Sequence, residues 1–275
     1  MIPFLNWATA VVAAPRPIPC LHRCLQYLKT NHLPDPIVFA EPGLVFTTEE
    51  LRLCETVQRP DLQSEPIPFL EVSPEGRHGN FQNWLQAGAD LLKMRPEADV
   101  YLIVEDDAIL CEGSVGFADQ FLWPSARCGA VSLYSAACNE LMRHRTPNLV
   151  PFNRRGMLGA LAMAFRRECL ESLVRSPEIE HWQGMVSQRG KCPPRWQLAG
   201  VDTWIGNRMH DANWQIWCFS RSLVNHWVPP NAKGRQNSTM NNGPNVGRRC
   251  PLRYVGDRPG DLNVIFKAIN LEPVE

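Results

Sequence analysis

The chain has no surplus of charge of either sign: 28 Lys and Arg balance 28 Asp and Glu over 275 residues. General electrostatic attraction to nucleic acid or a membrane surface is therefore not expected, although a local basic cluster could still bind an anion. There is no Cys-x-x-Cys and no paired Cys/His spacing, so the ten cysteines do not read as a zinc site. No window approaches the roughly 18 uninterrupted apolar residues of a membrane-spanning helix. No basic segment precedes the first apolar run, so Thr9 to Ala14 reads as a strand and not as the core of a signal peptide. There is no internal repeat. A Gly-rich phosphate loop with Lys or Arg is also missing after that strand, where Ala13-Ala14-Pro15-Arg16-Pro17 stands instead.

What is present describes a globular protein. Hydrophobic residues make up 44% and charged residues 20% of a chain long enough to bury a sizeable core. One α/β domain is the expected organisation. The cysteines are scattered, and Cys111 and Cys218 lie inside apolar runs, as small buried hydrophobes do. Most of them read as reduced thiols of a cytoplasmic protein, against the rival reading of a secreted disulfide framework. Asn237-Ser238-Thr239 is a glycosylation sequon that has meaning only in a secretory setting.

Apolar runs and helical patterns alternate through the first half. After the strand Thr9 to Ala14, Cys20 to Thr30 carries Leu21, Cys24, Leu25 and Leu28 at helical spacing. Pro36 to Ala40 is a short second strand. Thr47-Thr48-Glu49-Glu50 has the form of a helix start leading into Leu51-Arg52-Leu53-Cys54-Glu55. Ile67 to Val72 reads as a third strand, Phe81 to Met94 as a helix and Val100 to Val104 as a fourth strand. Further on, Gly129 to Tyr134, Gly159 to Phe165, Gln215 to Phe219 and Leu223 to Asn225 read as strands. Arg167 to Val174 and Asp202 to Met209 read as helices, and Arg143 to Arg155 as a polar, basic loop. Asn231 to Arg249 is a long Gly/Asn-rich stretch of the kind that is functional or mobile. The alternation predicts a mainly parallel sheet with helices on both faces, and ligands beyond the carboxyl ends of its strands.

One stretch stands out. Val100-Tyr-Leu-Ile-Val104 ends in three adjacent carboxylates, Glu105, Asp106 and Asp107, and then turns apolar again. Like charges at the end of a buried strand repel and lose hydration, and a hard divalent cation with oxygen ligands is the usual remedy. A solvated strand end is the plain alternative. Strand alternation predicts Glu105 and Asp107 on one side and Asp106 on the other.

Several features in order resemble the nucleotide-sugar-dependent glycosyltransferases of the GT-A fold. They are Ala13-Ala14-Pro15-Arg16-Pro17, Gly79-Asn80-Phe81 and Glu105-Asp106-Asp107, the last similar to that fold's Asp-x-Asp signature. Gly159 to Phe165, Gly200-Val201-Asp202-Thr203-Trp204-Ile205-Gly206 and Ser222-Leu-Val-Asn-His226 follow, so the match covers roughly residues 8 to 240. The resemblance implies a Rossmann-like GT-A fold with an irregular C-terminal acceptor region. It implies a single domain, with 1–110 as the nucleotide-binding half, 111–250 as the acceptor-binding half and 251–275 as an extension.

It also implies that Asp107 contacts Mn²⁺ or Mg²⁺, and that Glu105 or Asp106 holds the ribose or a metal-bound water. Asp202 would be the general base of an inverting transfer, or, read plainly, a helix cap. His226 would be a further metal ligand or diphosphate contact, or a half-buried histidine. Pro15, Arg16 and Asn80 would border the nucleotide, with helix-entry punctuation and capping as the alternatives for Pro15 and Asn80. Trp204 and Trp182 are candidate platforms for an acceptor sugar, against ordinary packing. Lys233 and Arg235 are weaker phosphate candidates, and Arg77 and His78 weaker nucleotide candidates. The partners implied are a UDP- or GDP-sugar and a carbohydrate, lipid or protein hydroxyl. A nucleotidyltransferase or phosphohydrolase, or a non-catalytic carbohydrate- or nucleotide-binding relative, remains as the alternative.

Overall fold

A parallel core is built first. In the computed structural model, which describes residues 5–16, 19–41, 43–58, 79–134, 149–152, 159–176, 201–219 and 222–226, the first strand is β1 (Trp7–Ala13). It pairs in parallel with β2 (Ile37–Ala40) on one side and β4 (Val100–Glu105) on the other. Its side chains alternate between two cores. Trp7, Val11 and Ala13 face one, with Val100, Leu102 and Val104 of β4. Ala8, Ala10 and Val12 face the other, with Tyr101 and Ile103. A strand buried on both faces needs both residue sets apolar, which is why these runs carry no polar alternation.

Helices cover the two faces. Helix α1 (Leu21–Thr30) puts Leu21, Cys24, Leu25 and Leu28 into the first core. On the other face lie α3 (Gly79–Met94), α5 (Arg167–Val174) and α6 (Val201–Asp211), which contribute Trp84, Leu85, Leu170 and Ile205. The spacing of the buried residues in α1 and α5 is that of one helix face.

Among the described residues, eight strands form one sheet in the order β3-β2-β1-β4-β8-β6-β9-β7. Here β3 is Glu55–Gln58, β6 is Cys128–Ser132, β7 is Leu149–Phe152, β8 is Ala162–Phe165 and β9 is Gln215–Phe219. Strand β8 runs antiparallel to both β4 and β6, whereas β9 returns parallel to β6. A second, two-stranded sheet pairs β5 (Ala108–Leu110) with β10 (Val224–His226). Helix α4 (Ser114–Asp119) follows β5.

Two elements differ from the sequence reading. The helix at Thr47 is only one turn, α2 (Thr48–Leu51), although its capping box is complete: Glu50 N–H donates to Thr47 Oγ1 at 3.2 Å and Thr47 N–H to Glu50 Oε2 at 2.7 Å. The chain then leaves for β3, whose Glu55 N–H donates to Pro36 O at 2.9 Å, and Thr56 and Val57 are β-formers. The expected strand Ile67 to Val72 lies outside the described residues. The expected basic loop Arg143 to Arg155 contains β7. Pro151 is tolerated there because β7 is a terminal strand of the sheet.

Gly129 sits where β6 meets α5. A Cβ there would lie 2.7 Å from Cys169 Sγ and 3.0 Å from Trp214 Cδ2. Gly129→Ala should therefore lower stability by about 1–3 kcal/mol through overpacking. Urea midpoints at an unchanged m-value measure this, and a midpoint equal to wild type would show that the neighbours yield freely.

Candidate functional site

The sheet changes direction between β1 and β4. From β1 the chain moves outward to β2 and β3, then returns to the opposite side as β4. The carboxyl ends of β1 and β4 therefore flank a topological switch point, the crevice where open α/β sheets take ligands. Val12 pairs with Glu105 in the register, so the segment after Ala13 and the carboxylates after Val104 meet there.

Their contacts are specific. Arg16 donates from Nε to Asp106 Oδ2 at 3.1 Å and from Nη2 to Asp106 Oδ1 at 2.5 Å, a two-pronged grip on one carboxylate. Its Nη1 lies 2.9 Å from Asp107 Oδ2. Ala14 N–H also donates to Asp106 Oδ2 at 3.4 Å. The expectation that Asp106 and Asp107 point to opposite sides is therefore corrected. Strand β4 ends at Glu105 and a turn follows, so strict alternation stops and both carboxylates converge on one guanidinium.

Burial governs the charges. Asp106 and Asp107 are buried, while the Arg16 side chain is 37% exposed. Burial pushes the Asp106 carboxyl above the usual carboxylate range. The Arg16 hydrogen bond and charge pull it down, and Asp107 pushes it up again. Burial lowers the Arg16 guanidinium, but its carboxylate partners raise it further, and it stays charged. The Arg16 shift speaks for a strong pair and the Asp106 shift for an incompletely compensated one. The bond geometry accounts for both: one cation serves two buried anions.

A pH dependence follows for the metal-free protein. Folded Asp106 binds its proton more tightly than the unfolded chain does, so its ionised form opposes folding at neutral pH. As pH falls through the raised range the folded state is protonated first and this opposition disappears. Asp106→Asn removes the titrating group. The stability difference between variant and wild type should be largest near pH 7 and shrink through the weakly acidic range, read from urea midpoints. A difference independent of pH would remove Asp106 as the titrating group.

The donor set suits a divalent cation in part. Asp106 and Asp107 offer carboxylate oxygens, the ligand type of Mg²⁺ and Mn²⁺. Among the described residues, no group of three or more His, Cys, Asp and Glu side chains is assembled as a metal cage. The β5–β10 register does bring His226 opposite Ala108, one residue from Asp107.

Asp202 is tied to the strand next to β4. Glu105 N–H donates to Leu161 O at 2.9 Å, and two residues earlier Gly159 N–H donates to Asp202 Oδ2 at 2.8 Å. Asp202 therefore stands near the entry to β8. It is the second residue of α6 and not its cap, and it ties that helix to Gly159, whose φ of 90° favours glycine. Pro15 lies over the loop after β2, its Cγ 3.6 Å from where a Cβ on Gly43 would stand. Asn80 is the second residue of α3. Trp204, the acceptor candidate among the described residues, is 4% exposed and packs in the core beside α3 and α5. Trp182, Arg77, His78, Lys233 and Arg235 lie outside the described residues.

Two rim residues escaped the sequence reading. Glu41 directly follows β2, is buried, and donates its N–H to Ala13 O at 2.8 Å. Its signal, a carboxylate ending a short apolar run, is the one that drew notice at Glu105. Asn83, fully buried in α3, donates from Nδ2 to Phe39 O at 3.2 Å and pins the first turns of α3 to β2. The seven described cysteines are free thiols. Burial pushes Cys54 up to about 11 and Cys128 and Cys218 to about 12, so none of these three is an activated nucleophile.

No family model and no curated protein matches the chain. Solved structures do. Mannosyltransferase PcManGT from Pyrobaculum calidifontis, in complex with GDP-Man and Mn²⁺, is 14% identical with a TM-score of 0.50, over 98% of this chain and 68% of that one. A197 from STIV is 11% identical with a TM-score of 0.42, over 81% and 86%. A CMP:2-keto-3-deoxy-manno-octonic acid synthetase complexed with CTP is 14% identical with a TM-score of 0.38, over 78% and 89%. At such identities the likeness speaks for architecture alone. The chain has a mixed α/β, GT-A-like fold built on a Rossmann-like sheet. No helix among the described residues is long and apolar enough to cross a membrane.

Proposed function

We propose that the chain is a metal-dependent glycosyltransferase that moves a sugar from a nucleoside-diphosphate donor to a hydroxyl acceptor. One observation carries this reading: a buried acidic turn, Asp106-Asp107, stands at the switch-point crevice between β1 and β4. A crevice of that kind suits a nucleotide, and buried carboxylates suit the cation that accompanies a diphosphate. The fold shared with a mannosyltransferase in complex with GDP-Man and Mn²⁺ agrees with it.

Asp107, with Asp106, would hold Mn²⁺ or Mg²⁺, and His226 is the further candidate ligand. When bound, the ion supplies charge neutralisation to the leaving diphosphate. Pro15 and Glu41 follow β1 and β2, and with Asn80 and Glu105 they would border the nucleoside. Arg16 would serve the donor beside them. Asp202 would take the proton of the acceptor hydroxyl, and a single displacement assisted by one base inverts the sugar carbon. Residues 1–110 would then serve the donor and 111–250 the acceptor, with 251–275 as an extension of the same domain. The donor is a UDP- or GDP-sugar, and the acceptor a carbohydrate, lipid or protein hydroxyl.

Calorimetric titration with UDP, GDP and CTP, each with Mn²⁺ and with EDTA, tests the reading. Binding of UDP or GDP that requires Mn²⁺ supports it. Preference for CTP, with release of pyrophosphate on adding a sugar acid, would move the chain to the nucleotidyltransferases.

A further inference from the structure

Arg16 sits where an incoming cation must act. Three of its nitrogens are engaged by two carboxylates, at 3.1 and 2.5 Å to Asp106 and 2.9 Å to Asp107. With the guanidinium in place, the two carboxylate side chains are only 3% and 7% exposed, while Arg16 itself is 37% exposed. The arginine therefore forms the outer layer of the cluster. A divalent ion needs direct contact with carboxylate oxygens at about 2.0–2.6 Å. So little carboxylate surface remains that such contact requires the fork to move. The backbone favours a swinging arm over a fixed one. Ala14 N–H keeps its own bond to Asp106 at 3.4 Å, and Pro15 has a fixed φ, so the side chain of Arg16 can leave while the segment stays.

We infer that Arg16 is an internal counter-cation which a divalent ion displaces, so that metal loading frees the guanidinium to bind the nucleotide's diphosphate. This rests on the metal-dependent reading above and adds an order to it: metal first, nucleotide second. One arginine thus closes the cluster when metal is absent and serves the ligand when metal is present. Buried carboxylates are never left without a cation, and the two binding events become coupled.

The test is calorimetry and thermal melting of wild type, Arg16→Met and Arg16→Lys with Mn²⁺ alone, then with UDP or GDP. Without metal, Arg16→Met should melt lower, because two buried carboxylates lose their partner. It should bind Mn²⁺ about tenfold or more tighter than wild type, a typical coupling between linked events. It should also bind the diphosphate more weakly once metal is saturating. Arg16→Lys keeps the charge but cannot bridge both carboxylates, and should fall between. If wild type binds Mn²⁺ and Arg16→Met binds it equally or less well, the displacement is wrong while the metal-dependent reading stands. If neither binds Mn²⁺, both fall. Diphosphate binding in EDTA that disappears in Arg16→Met would make Arg16 the permanent phosphate cation and overturn the exchange. Should Arg16→Met fail to fold, the wild-type protein still decides the matter by NMR. Saturating Mg²⁺ should move the Arg16 Nε–H resonance to a solvent-exposed position. An unmoved resonance, with the Asp106 and Asp107 amides shifted, would overturn the inference.

Discussion

Asparagine in place of Asp107 is expected to weaken metal-dependent binding of a nucleoside diphosphate by about a hundredfold or more, beyond the usual loss from altering a ligand's outer partners. The substitution isolates charge from shape. Asp107 is 5% exposed, and an amide of the same outline fills the same space. The amide oxygen can still accept from Arg16 Nη1, which stands 2.9 Å from Asp107 Oδ2, so the local turn should persist. The loss falls on the negative charge that a divalent cation requires. Calorimetry with Mn²⁺ gives the affinity, and EDTA should bring wild type down to the level of the variant. Asp107→Asn that binds diphosphate and Mn²⁺ as wild type does would remove the acidic turn from the function. Asp106 is the comparison, because it also holds Arg16 and the Ala14 N–H. Its asparagine variant should disturb the 14–16 segment as well as the metal, and the two variants should differ in their metal-free melting.

The features legible in the sequence are those written in short-range pattern. Helix α5 was readable to its end residues because Cys169, Leu170 and Leu173 mark one helical face before and after polar neighbours. The core strand β4 was readable because an unbroken apolar run ends in charge, and charge can follow such a run only where the sheet opens. The two terminal strands of the sheet were not. Strands β3 and β7 have four residues each, with Glu55 and Gln58 in one and a proline in the other, and stand out only when a neighbour pairs with them. The site divides in the same way. The acidic turn is local and was visible, but its pairing with Arg16 spans 90 residues and depends on β1 lying against β4. Side-chain direction was lost where regular structure stops. Alternation holds to Glu105, and the turn then sends Asp106 and Asp107 to one guanidinium. Trp204 shows the converse limit. A helical tryptophan beside an acidic residue looks the same in sequence whether it faces a sugar or the core, and here it packs in the core.

Asp202→Asn is expected to leave donor binding intact and slow transfer by about 10²–10⁴-fold, the span a positioned general base contributes. The structure makes asparagine the informative choice. Asp202 Oδ2 accepts the Gly159 N–H at 2.8 Å, and an amide oxygen can keep that bond. The tie between α6 and the entry to β8 therefore survives, and with it the backbone that meets Glu105 through Leu161. What is removed is the ability to take a proton. Asp202→Ala removes both, so it should add a loss of stability that asparagine does not. A purely structural Asp202 predicts the reverse pattern: asparagine nearly as active as wild type, and alanine impaired in melting and activity together. Single-turnover transfer from the nucleotide sugar that binds, measured beside thermal melting, separates the two. With a base at this position Asp202→Asn should lose the transfer step while keeping donor affinity, a split between rate and binding that a structural role does not produce. A variant that binds donor and transfers at the wild-type rate would assign Asp202 to the architecture of the rim and leave the base to be sought among other residues facing the acceptor.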